Sequence, residues 1–553
     1  MSAAAGVEAA GKSKLSTSYI DMLESATYIG ANHMKNYLPY DHRQNSMVVI
    51  NFLDQLQPGT FEWALNYLLS GRLDLSAFDA LYKNDKVGRP AYDPAIMLRI
   101  ILFAYSKGIT SSRQIEWCCQ TNISFKALSC DTVPHSTTIA AFVSSHPDAI
   151  TALFENVLLV CDQQGLLGKE LFAIDGCKMS SNAAKEWSGT FKELKRKRDR
   201  IRRQIRYCLA EHAKLDASDS DCQKGMGRMN QMIETLDNAC TKIDDFLASE
   251  NPRIGQAKTE KEIKSNITDN ESGKMLTSKG TIQGYNGVAS VDKKHQIVVD
   301  ASAFGEGQEH HVLQPILETI KERMQRLGMS DDIYEEGAIV TADTGFANES
   351  NNRYLYDNGI NAYIPDSQFR TRDPRFAEQK EQYGKRHPKP AGSRQRGVIP
   401  ASEFRIDTTN KTCVCPAGKE LWLRDETVDK HGKRKLFFEG GIKDCRACEL
   451  KHECMRNPDS ANSRKGHGRQ VSKTVLPTTG AQAWMRERVD SEKGKQIYSH
   501  RMSVVEPVFG NIGTNKRLNR FSLRGKKKVQ AQWQLYCMVH NIEKLMRYGD
   551  MAT

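Results

Sequence analysis

Two apolar runs in this chain end on the same residue type: Glu170-Leu-Phe-Ala-Ile-Asp175 and Ala338-Ile-Val-Thr-Ala-Asp343. A short aliphatic run closed by a carboxylate reads as a buried strand whose last side chain leaves the sheet. In open α/β sheets, ligands collect outside the carboxyl ends of the strands, so the two runs constrain fold and chemistry together. The text around them agrees. Gly284–Val291 and Gln296–Asp300 flank the polar turn Asp292-Lys-Lys-His295, a hairpin signal; His311–Leu327 has helical spacing, and Ala362–Pro365 is a short strand. Strand, hairpin, helix, strand, helix, strand predicts a mixed α/β (α+β) layout.

The predicted core occupies 166–187, 251–365 and 480–550, and other blocks interrupt or precede it. Residues 1–45 are polar and read as a loose arm. Over 46–165 the text is helical, with Leu98, Ile101, Leu102 and Tyr105 on one stripe and Ser111 or Ser112 as an N-cap, which predicts an all-helical domain and a candidate DNA-binding one. Across 188–250 apolar residues fall at Leu194, Ile201, Ile205, Cys208, His212 and Leu215, then at Met229, Met232, Leu236, Cys240, Ile243 and Leu247. With Asp216-Ala-Ser-Asp-Ser-Asp221 between the two sets, this predicts an antiparallel helical hairpin. Residues 366–404 form a basic loop, 405–479 a small Cys-rich β insertion, and Trp533–Leu545 an amphipathic closing helix.

A third acid lies in a helical stretch. Tyr498, Met502, Val505, Phe509 and Ile512 step by helical intervals, and Glu506 falls on the flank of that stripe. Pro507 either kinks this helix or occupies its first turn. Glu309-His310-His311 is the opposite case: adjacent helical residues point about 100° apart and chelate poorly together, so this run reads as a helix N-terminal turn. Ser136 beside His135 lacks an acid partner and is no nucleophile.

Five segments now resemble one family. Ala-Ile-Asp-Gly-Cys-Lys around Asp175, Ala-Asp-Thr-Gly-Phe around Asp343, and the Tyr498, Arg501, Glu506-Pro-Val-Phe-Gly510 constellation are similar to the catalytic signatures of bacterial insertion-sequence transposases. Gly88–Glu116 with Val133–Phe142, and Gly284–Asp292, match as well, and the nearest resemblance is to the group numbered eleven-eighty-two. The resemblance implies an RNase H-like core, Asp175, Asp343 and Glu506 as ligands of two Mg²⁺ (or Mn²⁺) ions, and Tyr498 and Arg501 as accessory residues. It implies cleavage of the element's ends and joining of their 3′ ends to target DNA by a homodimer or larger assembly. The family usually has lysine seven residues after the Glu; here Gly513 stands there, leaving Lys516 or Arg517 to supply the charge. Two alternatives stay open: an inactive DNA-binding derivative, and a metal-dependent nuclease without strand transfer.

Cysteine usage fits a reducing cytoplasm, and the resemblance implies action on DNA at the nucleoid. Lys and Arg number 79 against 67 Asp and Glu, a net +12 that points only weakly to polyanions. The sequence has neither an apolar run of membrane length nor a secretory leader's apolar segment. Lys192–Arg206 packs nine cations against two acids; Lys195, Arg196, Lys197, Arg198, Arg202 and Arg203 are candidate phosphate contacts, although such runs are also solvated helix faces. Arg517, Arg520, Arg524, Lys526, Lys527 and Lys528 follow Glu506 and are candidates too. Five of the fourteen cysteines fall between Cys413 and Cys454. Cys415, Cys445, Cys448 and Cys454 match the pattern of the related transposases and suit a tetrahedral Zn²⁺ site. Cys413 is a substitute ligand, and an iron–sulfur cluster or metal-free thiols are the rival readings.

Overall fold

Strand β1 (Leu171–Ser180) organises the larger sheet, because it pairs along both edges. The computed structural model describes residues 49–80, 82, 90–216, 223–255, 261–278, 280–376, 398–428, 434–463, 465–475 and 480–550. The arm expected over 1–45 and residues 377–397 of the basic loop lie outside them. The chain divides into Met1–Asn51 and Phe52–Thr553, and the elements below all belong to the second unit.

Four further strands line up with β1: β2 (Gly273–Thr277), β3 (Gly280–Asp292), β5 (Ile339–Ala342) and β6 (Ala362–Tyr363), in the order β2-β3-β1-β5-β6. The sixth, β4 (Val298–Phe304), pairs with β3. β3 pairs antiparallel with β1, β2 and β4, the last as the hairpin signal predicts, whereas β1 with β5 and β5 with β6 pair in parallel. Parallel neighbours need crossovers. Helix α9 (Leu313–Arg326) precedes β5, and α10 (Glu349–Asp357) links it to β6.

Residues 61–163 form six principal helices: α1 (Phe61–Leu69), α2 (Pro94–Ser106), α3 (Ser112–Thr121), α4 (Ile123–Ser129), α5 (Ser136–Ser145) and α6 (Pro147–Gln163). Local chemistry sets their starts. Asp93 accepts the Ala95 N–H at 2.7 Å ahead of Pro94, and Asn122 both ends α3 and caps α4 through Ser124. Ser111, not Ser112, holds the N-cap position of α3.

Helices α7 (Phe191–Asp216) and α8 (Gln223–Ser249) form the expected hairpin. Its seam on α8 corrects one residue: Ile233 turns inward and Met232 is exposed. Met229, Ile233, Leu236, Cys240, Ile243 and Leu247 then step by alternating fours and threes, the spacing of a two-helix seam. A separate five-stranded antiparallel sheet orders as β11 (Gln470–Val475), β10 (Arg434–Gly440), β9 (Glu420–Val428), β8 (Thr412–Val414), β7 (Arg405–Asp407). It packs around Phe404, Cys413, Leu436 and Phe438.

The last helices close the core: α11 (Ala481–Asp490), α12 (Glu492–Gly510) and α13 (Lys526–Tyr548). The amphipathic stripe expected in α13 is a correction, since every residue from Ala531 to Ile542 is buried. Tyr536 stacks on Tyr105 at 4.3 Å, and Gln534 accepts from Thr151 at 2.8 Å, so α13 joins the helical region to the sheet in one hydrophobic core. Two of its polar side chains are satisfied against the backbone of β4. Asn541 accepts the Val298 N–H at 2.8 Å and donates to the Val298 carbonyl at 2.9 Å, and Gln530 bonds Ala301 and Ala303 in the same way. Among the described residues no helix is long and apolar enough to cross a membrane.

His540 makes this core acid-sensitive. Asn511 Nδ2 donates to its Nδ1 at 3.0 Å, and its Nε2–H donates to the Gln296 carbonyl at 2.9 Å, which fixes a neutral tautomer. Burial holds its pKa down at about 3, against an ordinary 6.5. The unfolded chain therefore takes up this proton first, and stability present above pH 6.5 is lost as pH falls toward 3, roughly 5 kcal/mol in all. Urea midpoints measured from pH 7 to 4 are expected to fall steeply in the native chain and less so in His540→Gln.

Candidate active site

The parallel register of β1 and β5 pairs Leu171 with Ile339 and continues to Ile174 with Ala342, so Asp175 and Asp343 come next on adjacent strands. Neighbouring strands lie about 4.8 Å apart, which sets the two carboxylates side by side. There β5 stops. The Asp343 carboxylate accepts the Gly345 N–H at 2.7 Å and caps the single turn Thr344–Phe346. The end expected for β1 at Asp175 is a correction: β1 runs on to Ser180 because β3 keeps pairing with it through Gly284. What ends at Asp175 is the β5 side of the strand.

The two acids meet different surroundings. Asp175 accepts from Arg501 Nη1 at 2.7 Å, and that guanidinium is itself nearly buried. Asp343 has no such ion-pair partner among the described residues; burial, and then the negative charge of Asp175, push its carboxyl above the usual range. Arg501 comes from the middle of α12, one turn after Tyr498, whose ring sits edge-on to Phe369 at 5.6 Å. Burial raises the Tyr498 phenol. Asp343, Tyr498, Arg501 and Met502 line one cleft of about 760 Å³, with Arg370 and Lys495 also in its wall.

Among the described residues, Glu506 does not form a metal-holding group with the aspartates as they stand. It stands exposed on α12 and makes no hydrogen bond or ion pair among the described residues. Pro507 lies inside α12, not in its first turn. Its missing N–H would orphan the Ser503 carbonyl four residues earlier, and Gln296 Nε2 donates there at 3.0 Å. A π-helical turn, Asn511–Asn515, follows.

One acid at this site is not anticipated from the sequence: Glu309. Its run does form a short turn, Glu309–His311, as expected, yet the carboxylate pairs with Lys178 Nζ at 3.3 Å. Burial raises its carboxyl, and so do the nearby charges of Asp343 and Asp175, while Lys178 lowers it. The only sequence clue is Gly345. A Cβ there would meet Glu309 Oε2, so the glycine after Asp343-Thr marks a close approach.

The basic candidates divide. Lys516 is wholly buried and pairs with Glu543 at 2.6 Å, so it does not reach solvent, whereas Arg517 is exposed. Arg520 and Arg524 are exposed beside Asn182, just past the end of β1. Lys526, Lys527 and Lys528 form the exposed first turn of α13, where the helix dipole adds positive potential. On α7, Lys197 lies over the Trp187 ring at 4.1 Å, and Arg198 and Arg202 share Asp244. Arg198 and Arg202 tie the two hairpin helices together and Lys197 ties α7 to the turn before it; Lys195, Arg196 and Arg203 face solvent.

Cys415, Cys445, Cys448 and Cys454 line one small cavity of about 40 Å³, while Cys413 is buried in the core of the adjoining sheet. The Lys419 N–H donates to Cys415 Sγ at 3.3 Å and the Arg469 N–H to Cys445 Sγ at 3.4 Å. Burial raises the thiols of Cys445 and Cys454, and neighbouring cysteines add to it. Among the described residues, no three His, Cys, Asp or Glu side chains converge as they stand on a point that would hold a metal ion.

Two stretches of the chain match family models. Residues 414–546 match a Transposase DDE domain, and residues 51–145 match a Transposase domain (DUF772). Together they indicate a DDE-type transposase family. That family implies DNA as partner and a divalent cation, typically Mg²⁺, as cofactor. No curated protein matches the chain. The DDE match contains Tyr498, Arg501, Glu506 and the four clustered cysteines, whereas Asp175 and Asp343 lie outside both matches.

Proposed function

We propose that the chain is a transposase that cleaves the ends of its own element and joins the 3′ ends to target DNA. The observation that carries this is the placement of Asp175 and Asp343 next to each other where the parallel pairing of β1 with β5 stops, in a chain whose flanking segments match transposase models. The strand order, with β1 central, antiparallel to β3 and parallel to β5, supports an RNase H-like core. Two neighbouring carboxylates, one raised by the other's charge, are a donor set suited to a hard cation. Divalent ions held there would stabilise charge on the attacking and leaving oxygens of a phosphodiester.

The chain's own residues prepare that chemistry. Arg501 fixes the orientation of Asp175, and Tyr498 closes the wall of the cleft beside it. Glu506 is the third acid, supplied from the exposed flank of α12 one turn beyond Met502 of the cleft wall. Arg517, Arg520, Arg524 and Lys526–Lys528, with Lys195, Arg196 and Arg203 of the hairpin, contact phosphates and position DNA without reading its sequence. Because Lys516 is buried, Arg517 takes the role of the family's lysine at Gly513. The helical region recognises the terminal repeats, and a dimer holds the two ends together.

Labelled DNA carrying the element's ends, incubated with the protein and Mg²⁺ or Mn²⁺, is expected to be cut and then joined to a target. Binding without cutting would indicate the inactive derivative, and cutting without joining a plain nuclease.

The cysteine cavity is read as a structural Zn²⁺ site with Cys415, Cys445, Cys448 and Cys454 as ligands; backbone N–H groups already donate to two of the sulfurs, as they would to metal-bound thiolates. Elemental analysis is expected to find about one zinc per chain, lost in Cys448→Ser and kept in Cys413→Ser. A visible iron–sulfur chromophore, or metal-free protein of equal stability, would contradict it.

A further inference from the structure

Glu309 ends beside the two aspartates although it comes from a different element, the turn between β4 and α9. An atom at the Cβ position of Gly345 would lie within 3.0 Å of both Glu309 Oε2 and Asp343 Oδ1, so both carboxylates overhang this one glycine. Three acids, Asp175, Asp343 and Glu309, are then faced by two cations: Arg501, bonded to Asp175, and Lys178, paired with Glu309 at 3.3 Å. The Glu309 side chain is only 14% exposed. One negative charge is left over in a poorly solvated place, where charges without partners are costly.

A second observation points the same way. Asn286 is opposite Lys178 in the β1–β3 register and wholly buried, its amide packed against Gly176 on the face of β1 that carries Lys178. Neither its amide oxygen nor its amide nitrogen has a partner among the described residues. Buried amides with both ends unsatisfied are rare and call for a missing ligand, such as water or an ion with its hydration shell.

We propose that Glu309 is a further acid of the catalytic centre, sharing the divalent cation of Asp175 and Asp343, and that Lys178 is the counter-ion it exchanges for that cation. This rests on the metal-binding reading above. Lys178 on Glu309 and Arg501 on Asp175 explain why the acids do not yet converge.

Mn²⁺ binding to the EDTA-stripped full-length chain, followed by electron paramagnetic resonance, tests it. Glu309→Gln is expected to weaken binding about 10–100-fold, and Lys178→Met, which leaves every acid in place, to tighten it. A residue that merely supports the fold would not give opposite signs in the two variants. Unchanged affinity in Glu309→Gln, or in Lys178→Met should the first variant not fold, overturns the proposal when Asp343→Asn is impaired. If Asp343→Asn also binds Mn²⁺ like the native chain, the metal-binding reading itself falls.

Discussion

Asp343→Asn is expected to abolish DNA cleavage and joining while making the metal-free chain more stable. Removing a single charge-stabilising group from an active site costs about 10²–10³-fold in rate, and a residue that holds the cation should cost at least that. The stability gain has a separate origin. Burial and the charge of Asp175 both raise the Asp343 carboxyl, so its ionised form is disfavoured in the folded chain. The sign follows from linkage: with a folded pKa above the ordinary 3.8, stability is fully present at lower pH and falls as pH rises through the raised value. Asparagine keeps the shape, can still accept from the Gly345 N–H, and carries no charge. Relief of such functional strain commonly yields about 0.5–2 kcal/mol. Thermal melts in EDTA at pH 7, beside the cleavage assay, check both halves. A variant that is inactive and also less stable would mean that Asp343 serves the fold.

Arg323→Ala is expected to give the largest loss of stability. Arg323 is 4% exposed on α9; it donates to Asp300 of β4 at 2.7 Å and to the Val299 carbonyl at 2.9 Å, and pairs with Glu155 of α6 at 3.3 Å. Its guanidinium also lies over the Phe154 ring at 5.6 Å. Truncation leaves the wholly buried Asp300 without its cation, and breaking a buried pair in this way costs about 3–5 kcal/mol. The damage falls where the helical region meets the sheet, so it should appear as one cooperative loss in urea denaturation and not as fraying of one element. Pairing Arg323→Met with Asp300→Asn is expected to recover much of it, because no orphan charge then remains. Equal losses in the single and double variants would show that packing, not charge, is what Arg323 supplies.

Which parts of this fold could be read in advance depends on whether the signal was local. The runs ending at Asp175 and Asp343 are local: aliphatic strands closed by an acid, and their pairing in register is what places the site. The continuation of β1 through Gly176, Cys177 and Lys178 was not legible, since those residues are polar or small and are held in the strand by the backbone of β3. Glu309 was hidden for a related reason. A Glu-His-His turn looks like a helix start, and only tertiary packing brings it over Gly345. Lys516 illustrates the limit of charge as a surface marker, because Glu543 from the next helix neutralises it in the core. The polar positions of α13 mimic a solvent face, yet Asn541, Gln530 and His540 are spent on the backbone of β4 and its preceding turn. In the hairpin, helical spacing located both helices, but the choice between Met232 and Ile233 needed the partner helix.

Fe²⁺ substituted for Mg²⁺ tests the central claim most directly, because ascorbate and peroxide then generate radicals that cut the polypeptide beside the bound ion. Cuts are expected near Asp175 and near Asp343, together, suppressed by excess Mg²⁺ and absent from Asp343→Asn. Cuts that avoid both positions, or that persist unchanged in Asp343→Asn, would contradict a cation held between β1 and β5.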